Sequence, residues 1–460
     1  MVAVGDTMLT CRLSPYAEPD YVRLVELMRR ADVTFANLET TVRNRDEGNP
    51  DAAVTGTVMS TPPELLDELK WLGIDIVSTA NNHTFDYGVS GVAASIAHLR
   101  NARVPFAGSG ATLGQARAPG YVETPMGRVG LVALTSATGS RDFSGSAPES
   151  TVFAALGRAA DARPDAPGRP GTNPLRFSKT FILDSEAMAA LGRIKDELGF
   201  TKKQKRDQAH FYSKSEAAGD SDDEIAFFGG QFRRGKAFSI STQVNRDDAE
   251  ANLRQIRDAR RRADWVIVSF HNHECSEAGS DTATSKADLE EPAQFAVDFA
   301  RAAIDAGADM VACHGPHVAL GVEIYKGRPI FHSLGNFVLQ NDLVEAFPAE
   351  VYSRFGLAPD ATPADFIDTR SRNDTAGFGP AAGFWRALLA ECEFHNRELV
   401  AVRLHPLDLG FKRQRSQRGR PLPARGDVAR AILERTQRLS RQYHGTTVQI
   451  EGETGIVVVK

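Results

Sequence analysis

Short apolar runs alternate with amphipathic stretches in two blocks of the chain, about residues 1–135 and 250–340. In the first block Val2–Val4, Val33–Ala36, Ile74–Val77 and Val129–Leu134 are apolar runs too short for helices and read as strands. Tyr21, Leu24, Val25 and Met28 recur at helical spacing and predict a helix over Tyr21–Arg30. The stretch Thr61-Pro62-Pro63-Glu64 reads as a helix start, with Thr61 as cap, Pro62 at the first helical position and Glu64 as the capping-box carboxylate. Leu65, Leu66, Leu69 and Leu72 would form its buried face and Gly73 its stop. Another helix is expected near Val89–Arg100. The second block predicts a helix over Ala249–Ala263, a strand at Trp265–Phe270, a helix over Pro292–Ala306 closed by Gly307, and strands at Met310–Cys313 and Pro329–Leu334.

Elsewhere the rhythm breaks. Residues 140–250 hold a Pro/Gly-rich stretch at Ala162–Pro174, a charge run at Thr201–Asp207 that reads as a solvated helix end, and an acidic polar stretch at Glu216–Glu224. This region is expected to be an insertion with some helix, a candidate lid. Residues 343–380 read as a second, irregular insertion. In 385–460, strands near Leu388–Glu393 and Leu399–His405, a helix at Val428–Tyr443 capped by Asp427, and short apolar pieces at Val448–Ile450 and Ile456–Val459 would complete the domain. The expectation is one α/β (α+β) domain spanning 1–460 and carrying both insertions.

Composition narrows the function classes. With 42% hydrophobic and 25% charged residues, the 460-residue chain can bury an ordinary core, and its net charge of -5 argues against a dedicated nucleic-acid binder. No apolar run approaches the ~18 residues of a membrane helix, and no signal-like segment is visible, so a cytoplasmic location is expected. The four cysteines, Cys11, Cys275, Cys313 and Cys392, form no CxxC pair and read as core residues.

The chemistry lies at the ends of the strands. Gly5-Asp6 follows the first, Asn37-Leu38-Glu39 the second, and Asn81-Asn82-His83 the third. In the second block, His271-Asn272-His273-Glu274, His314-Gly315-Pro316-His317 and Gly335-Asn336 occupy the corresponding places. Five of the chain's 11 histidines (83, 271, 273, 314, 317) fall there. In α/β folds, sites collect at the carboxyl ends of strands. His271 and His273 alternate along a strand, so their rings are expected to face opposite ways. Mixed Asp, Glu, Asn and His donors suit divalent Mn, Fe, Zn or Co. Glu39 is a candidate bridging carboxylate between two ions, and His83, oriented by Asp86, a candidate general acid or phosphate contact. Asp6 with His271, His273 and His317 could instead supply the acid and base of a metal-free epimerisation. Arg169 and Arg176, in RPGTNPLR, and Asn336 are candidate substrate contacts; the arginines are equally read as solvated residues of a Pro-rich linker.

In order, the motifs GDTML (5–9), ANLET (36–40), STANNHTFDYG (78–88), VSFHNHE (268–274), DAGADMVACHGPHV (305–318) and GVEIYKGRPIFHSLGNFV (321–338) resemble the CapA family of capsule and poly-γ-glutamate synthesis proteins. The resemblance implies a fold similar to calcineurin-like metallophosphoesterases, two packed β-sheets flanked by helices. It also implies a site in which Asp6 is the first metal ligand, Glu39 the bridge, Asn82 an amide ligand, His83 a catalytic histidine, and His271, His314 and His317 the remaining imidazoles. Where such enzymes carry Asp-x-His, this chain has Asp6-Thr7-Met8, and where they carry Gly-His-x-His it has His314-Gly315-Pro316-His317. One ion, two or none are therefore open. The implied activity is a metal-dependent hydrolase acting on a phosphoester, a peptide or the γ-glutamyl bonds of an anionic polymer. A peptide epimerase and a non-catalytic accessory of polymer synthesis or export are the alternatives.

Overall fold

The computed structural model describes residues 1–50, 57–136, 157–209, 221, 223–227, 230–275 and 289–459. Two mixed sheets pack face to face between layers of helix. The first is ten-stranded. Its central strand, Val2–Met8, runs parallel to Thr34–Leu38, which is followed outward by Ile76–Ser78 and Phe106–Ala107. On its other side Val2–Met8 changes partner midway. Val2 and Ala3 pair antiparallel with Arg386–His395, whereas Asp6–Met8 pair parallel with Asn336–Leu339. Glu398–Asp408, Thr454–Val457 and Val448–Glu451 extend that edge. The second sheet has six strands, in the order Val322–Tyr325, Arg328–Phe331, Met310–His314, Trp265–His271, Gly127–Thr135, Gly120–Thr124.

The alternation of side chains along each strand explains the layering. Ala3, Phe35, Ile76, Leu131, Ile267, Met310, Ala312 and Phe331 meet in the core between the sheets. Val2 and Val4 point the other way, into the cluster beneath Pro19–Arg30 and Leu66–Leu72. Val266, Val268, Phe270 and Val311 face Arg246–Arg262 and Gln294–Asp305. Strands buried on both faces read as continuous apolar runs, which is why they were legible. The change of partner needs a glycine: a Cβ at Gly5 would stand 1.8 Å from the Gly335 carbonyl oxygen.

Several local expectations are corrected. Thr61 does not cap a helix; it lies in a short strand, and its hydroxyl bonds the Leu9 carbonyl and Thr40. A 3-10 turn, Pro63–Leu65, opens Leu66–Leu72 instead, and Gly73 ends that helix in the left-handed region. Asp427 lies within the first turn of Gly426–His444, whose N-cap is Arg425. Residues 343–380 are not irregular, for they contain the helices Ala349–Arg354 and Pro363–Ser371. The described part of the 140–250 region holds two helices, Ser185–Glu197 and Phe200–Ala209. It also forms a four-stranded sheet with the order Glu224–Phe227, Gly230–Arg234, Phe177–Leu183, Ser239–Val244. It is attached to the outer helix layer by Phe177, whose ring stacks on Phe295 at 4.5 Å. Most of the acidic stretch Glu216–Glu224 lies outside the described residues. All four cysteines are free thiols.

Candidate metal centre

Register assembles the centre. On three adjacent parallel strands of the first sheet, Asp6 stands level with Asn37 on one side and Asn336 on the other. On two adjacent parallel strands of the second sheet, His271 stands level with His314. Both rows lie at carboxyl ends, and the loops that follow add Glu39, Asn82, His83, His273 and His317. Asn81 fixes the third loop by a capping box with Thr84. Its amide also donates to the Leu38 carbonyl at 2.9 Å, tying that loop to the one carrying Glu39. Gly315 permits the last loop to close in: its φ is 114°, and a Cβ there would meet the Asn272 carbonyl oxygen at 2.2 Å.

Asp6, Glu39 and His271 have no solvent exposure. Asp6 Oδ1 accepts from Asn37 Nδ2 at 2.8 Å, and Oδ2 lies 3.2 Å from His317 Nδ1 and 3.3 Å from the Gly315 amide nitrogen. Burial raises the Asp6 carboxyl, but the hydrogen bond and charge of His317, with the fields of His271 and His314, outweigh it and hold the group well below the usual carboxylate range. Burial lowers His271 to about 3 and His314 to about 4, against the pull of Asp6. Both imidazoles are therefore neutral near pH 7, the form that binds metal.

His273 does not turn away from His271. Side chains alternate with a period of two, so residues two apart along an extended chain share a face, and the two rings stand on the same side. His271 Nε2, His273 Nε2 and Asn82 Oδ1 form a triangle with sides of 2.8, 3.1 and 3.1 Å. That spacing is close to the ~3 Å edge between ligands held about 2.1 Å from one ion. Glu39 Oε1 lies 3.6 Å from His271 Nε2 and 3.9 Å from His317 Nε2. His314, 1% exposed, has no hydrogen-bond partner on either ring nitrogen among the described residues. Orphaned buried nitrogens among carboxylates and neutral imidazoles are what a cation site presents, and the donor set fits a divalent ion. Asp6, Glu39 and His271, and separately Glu39, His273 and His317, place ligand atoms close enough to share one.

His83 stands at the rim, 9% exposed. Its Nδ1 is 2.6 Å from Asp86 Oδ2, which also accepts the Met59 amide at 2.7 Å. The carboxylate fixes the proton on Nδ1 and leaves Nε2, 4.0 Å from Glu39 Oε1, aimed at the cluster.

Other expected residues sit elsewhere. Arg176 pairs with Asp248 (2.6 Å), at the start of Arg246–Arg262, and Arg169 donates to the Arg158 carbonyl. Asn336 is fully buried and supports His317: its Oδ1 lies 2.9 Å from the ring Nδ1, and its Nδ2 donates to the His317 and Phe384 carbonyls. The support matters because His317 has a φ of 62°, a strained conformation for a residue with a Cβ. Met8, where the resemblance led to the expectation of a ligand histidine, is packed in the apolar cluster. Asn37, which joins Asp6, His271 and Asn81, was not singled out from sequence, although it shares its strand end with Glu39. A second buried group, Glu323, His332 and His444, lies apart, against Gly426–His444.

Two packed sheets flanked by helices, with a carboxylate–imidazole centre at their strand ends, define the metallophosphoesterase-like class of fold. Residues 1–341 match the family described as "Bacterial capsule synthesis protein PGA_cap", and the chain belongs to that family. The chain is 33% identical over 468 aligned residues to an uncharacterized Sinorhizobium fredii protein, y4sH, covering 99% of this chain and 92% of that one. It is 23% identical to the capsule biosynthesis protein CapA of Bacillus anthracis, over 74% of this chain and 59% of that protein. It is 25% identical to a probable polyglutamine synthesis accessory protein of Mycobacterium tuberculosis, over 67% and 55% respectively. Among the described residues no helix is long and apolar enough to cross a membrane.

Proposed function

We propose that this member of the capsule-synthesis family is a metal-dependent hydrolase whose substrate is a phosphoester or a γ-glutamyl or peptide amide. The observation that carries the reading is the His83–Asp86 pair facing the cluster of Asp6, Glu39, Asn82, His271, His273, His314 and His317. A divalent ion held by those residues, when bound, supplies Lewis-acid polarisation of the scissile group. Glu39, reaching towards both His271 and His317, is suited to hold the ion or bridge two. His83 does the proton work: with Asp86 accepting from Nδ1, a protonated Nε2 gives its proton to the leaving oxygen or nitrogen. Asp6, Glu39 and His271 are fully buried, so their charges and dipoles act in a low dielectric and are stronger than in water.

A metal-free epimerase would need Asp6 as a base. Both of its oxygens are already engaged, by Asn37, His317 and the Gly315 amide. The accessory reading draws on the Mycobacterium relative, described as a probable accessory protein of polyglutamine synthesis.

The test is metal analysis of the purified protein, followed by assays of the Mn- or Zn-loaded form on p-nitrophenyl phosphate and on a γ-linked glutamate oligomer. The hydrolase reading expects bound metal and turnover of one substrate, with Asp6→Asn losing both. Bound metal without turnover of either probe would favour the accessory role, and the absence of metal from a folded protein would defeat the proposal.

A further inference from the structure

The 140–250 region rejoins the body of the protein beside the centre and brings arginines with it. Gly171–Thr172 pairs antiparallel with Ser109–Gly110 and packs against the turn Asn82–Phe85, which carries His83. Pro174 bridges Thr135, the residue level with His271 on the neighbouring strand. Arg176 follows, at most ~14 Å of extended chain beyond Thr172. Asp248 lies in the first turn of Arg246–Arg262, the helix that leads into Trp265–His271, so this end of the helix faces the same end of the sheet as the centre.

Arg117, Arg158, Arg169 and Arg176 gather around Asp248, which is 1% exposed. Asp248 Oδ1 accepts Arg117 Nη2 at 2.8 Å and Arg176 Nη2 at 3.1 Å. Its Oδ2 accepts Arg176 Nε at 2.6 Å and the Arg176 amide at 3.1 Å. A carboxylate offers about four acceptor sites, so Arg117 and Arg176 fill those of Asp248 and leave none for Arg158. The Nε of Arg158, like that of Arg117, is buried and has no hydrogen-bond partner among the described residues. Burial works against the charge of Arg158, and so do the fields of Arg176, Arg169 and Arg117, with Asp248 on the other side of the balance. Asp161, which favours the charge of Arg117, is itself bonded by the Gly114 amide. The side chains of Arg117 and Arg176 keep 18% and 32% of their surface exposed, so a solute can reach the group. Guanidinium donors in excess of carboxylate acceptors, half-buried yet open to solvent, suit an incoming anion, and their planar forks match carboxylate or phosphate oxygens.

We propose that Arg117, Arg158 and Arg176 form an anion subsite beside the His83 turn, taking a carboxylate or phosphate group of the substrate remote from the bond that is cut. The substrate is then an extended molecule with an anionic group away from its reacting end. The inference rests on the hydrolase reading only in naming the ligand a substrate; binding of an anion does not depend on it. Carboxylate and phosphate present the same charged oxygens, and two probes separate them.

The experiment is calorimetric titration of the full chain with inorganic phosphate and with a γ-linked glutamate oligomer, at low and high salt, once metal-loaded and once in chelator. Wild type, Arg158→Gln and Arg158→Lys are compared, and the metal content of each loaded protein is measured. These substitutions leave in place the Arg158 carbonyl, which accepts Arg169 Nη2 at 3.0 Å. Chelator removes what a bound ion contributes, so binding that persists there reads the arginines. In chelator at least one probe should bind wild type. Arg158→Gln should weaken that binding roughly ten-fold or more and flatten its salt dependence, and Arg158→Lys should recover part of the loss. The probe affected identifies the anion. Wild-type affinity in Arg158→Gln, or no binding of either probe to wild type in chelator, overturns the subsite. Should Arg158→Gln fail to fold, Arg158→Met, which keeps the apolar stem, is read in the same way. Absence of metal from the loaded protein would defeat the hydrolase reading and leave the Arg158 comparison intact, whereas a null result at Arg158 would leave that reading standing.

Discussion

Asp86 and His83 divide one task. The carboxylate accepts from Nδ1 and from the Met59 amide, so it fixes both the tautomer and the tilt of the ring whose Nε2 faces the centre. His83→Gln should lower kcat by roughly 10²–10⁴-fold while metal content stays at the wild-type level, because the ring donates protons and does not ligate. Asp86→Asn should leave metal content unchanged too, yet move the pH profile of kcat, since an amide cannot hold the Nδ1 proton as a carboxylate does. Metal analysis beside a pH–rate series checks both, and loss of metal in His83→Gln would show that the ring is a ligand. At this scale Asp6, Glu39, Asn82 and His83 were legible because each follows a short apolar run. Asn37 was not, because an amide between two more conspicuous neighbours carries no signal of its own. His273 was misjudged because residues two apart were taken to face opposite ways, whereas the two-residue period of an extended chain puts them on one side.

At the level of elements, Gly426–His444 is fastened to the second sheet by a buried stack. The rings of His444 and His332 lie 4.0 Å apart and nearly parallel, at 12°, over Glu323, whose other oxygen takes Arg301 Nε at 2.7 Å. Burial, then the field of His332, lowers His444 to about 3, and burial also lowers His332. The folded state thus keeps these rings neutral where the unfolded chain would protonate them near 6.5. Between about pH 6.5 and 3 the unfolded state binds more protons, so this stability is present above the window and is lost as pH falls through it. His444→Phe, which keeps a ring but not the titration, should flatten the acid side of the stability curve by up to about 1.4 kcal/mol per pH unit. Chemical denaturation at pH 7 and 5 measures it, and equal slopes would contradict it. The elements were legible where strands are buried on both faces. They were not in 343–380, where helices of 6 and 9 residues separated by Pro and Gly leave too little periodicity, even though Val351, Phe366 and Ile367 are buried.

Across the whole molecule, the centre is also a joint. Asp6 and Glu39 come from the ends of strands in the first sheet, His271 and His314 from the second, and His317 from the loop between Met310–His314 and Val322–Tyr325 of the second. Residues from 6 to 317 in sequence must be folded together before this donor set exists, so an unfolded chain offers no comparable site. A ligand that binds only the folded form stabilises it by mass action, by about 2.7 kcal/mol when its free concentration is a hundred times its Kd. Spread over the unfolding entropy of a chain this long, that corresponds to a midpoint shift of about 3 °C. Thermal unfolding of wild type in excess Mn or Zn, compared with the same protein in chelator, should show a shift of that order, whereas Asp6→Asn should show little difference between the two conditions. The stack at His444 lies outside the donor set, so His444→Phe should keep the full metal-dependent shift even as its acid sensitivity falls. A shift in Asp6→Asn equal to that of wild type would place the stabilising ion elsewhere in the molecule and separate the strand-end cluster from metal binding.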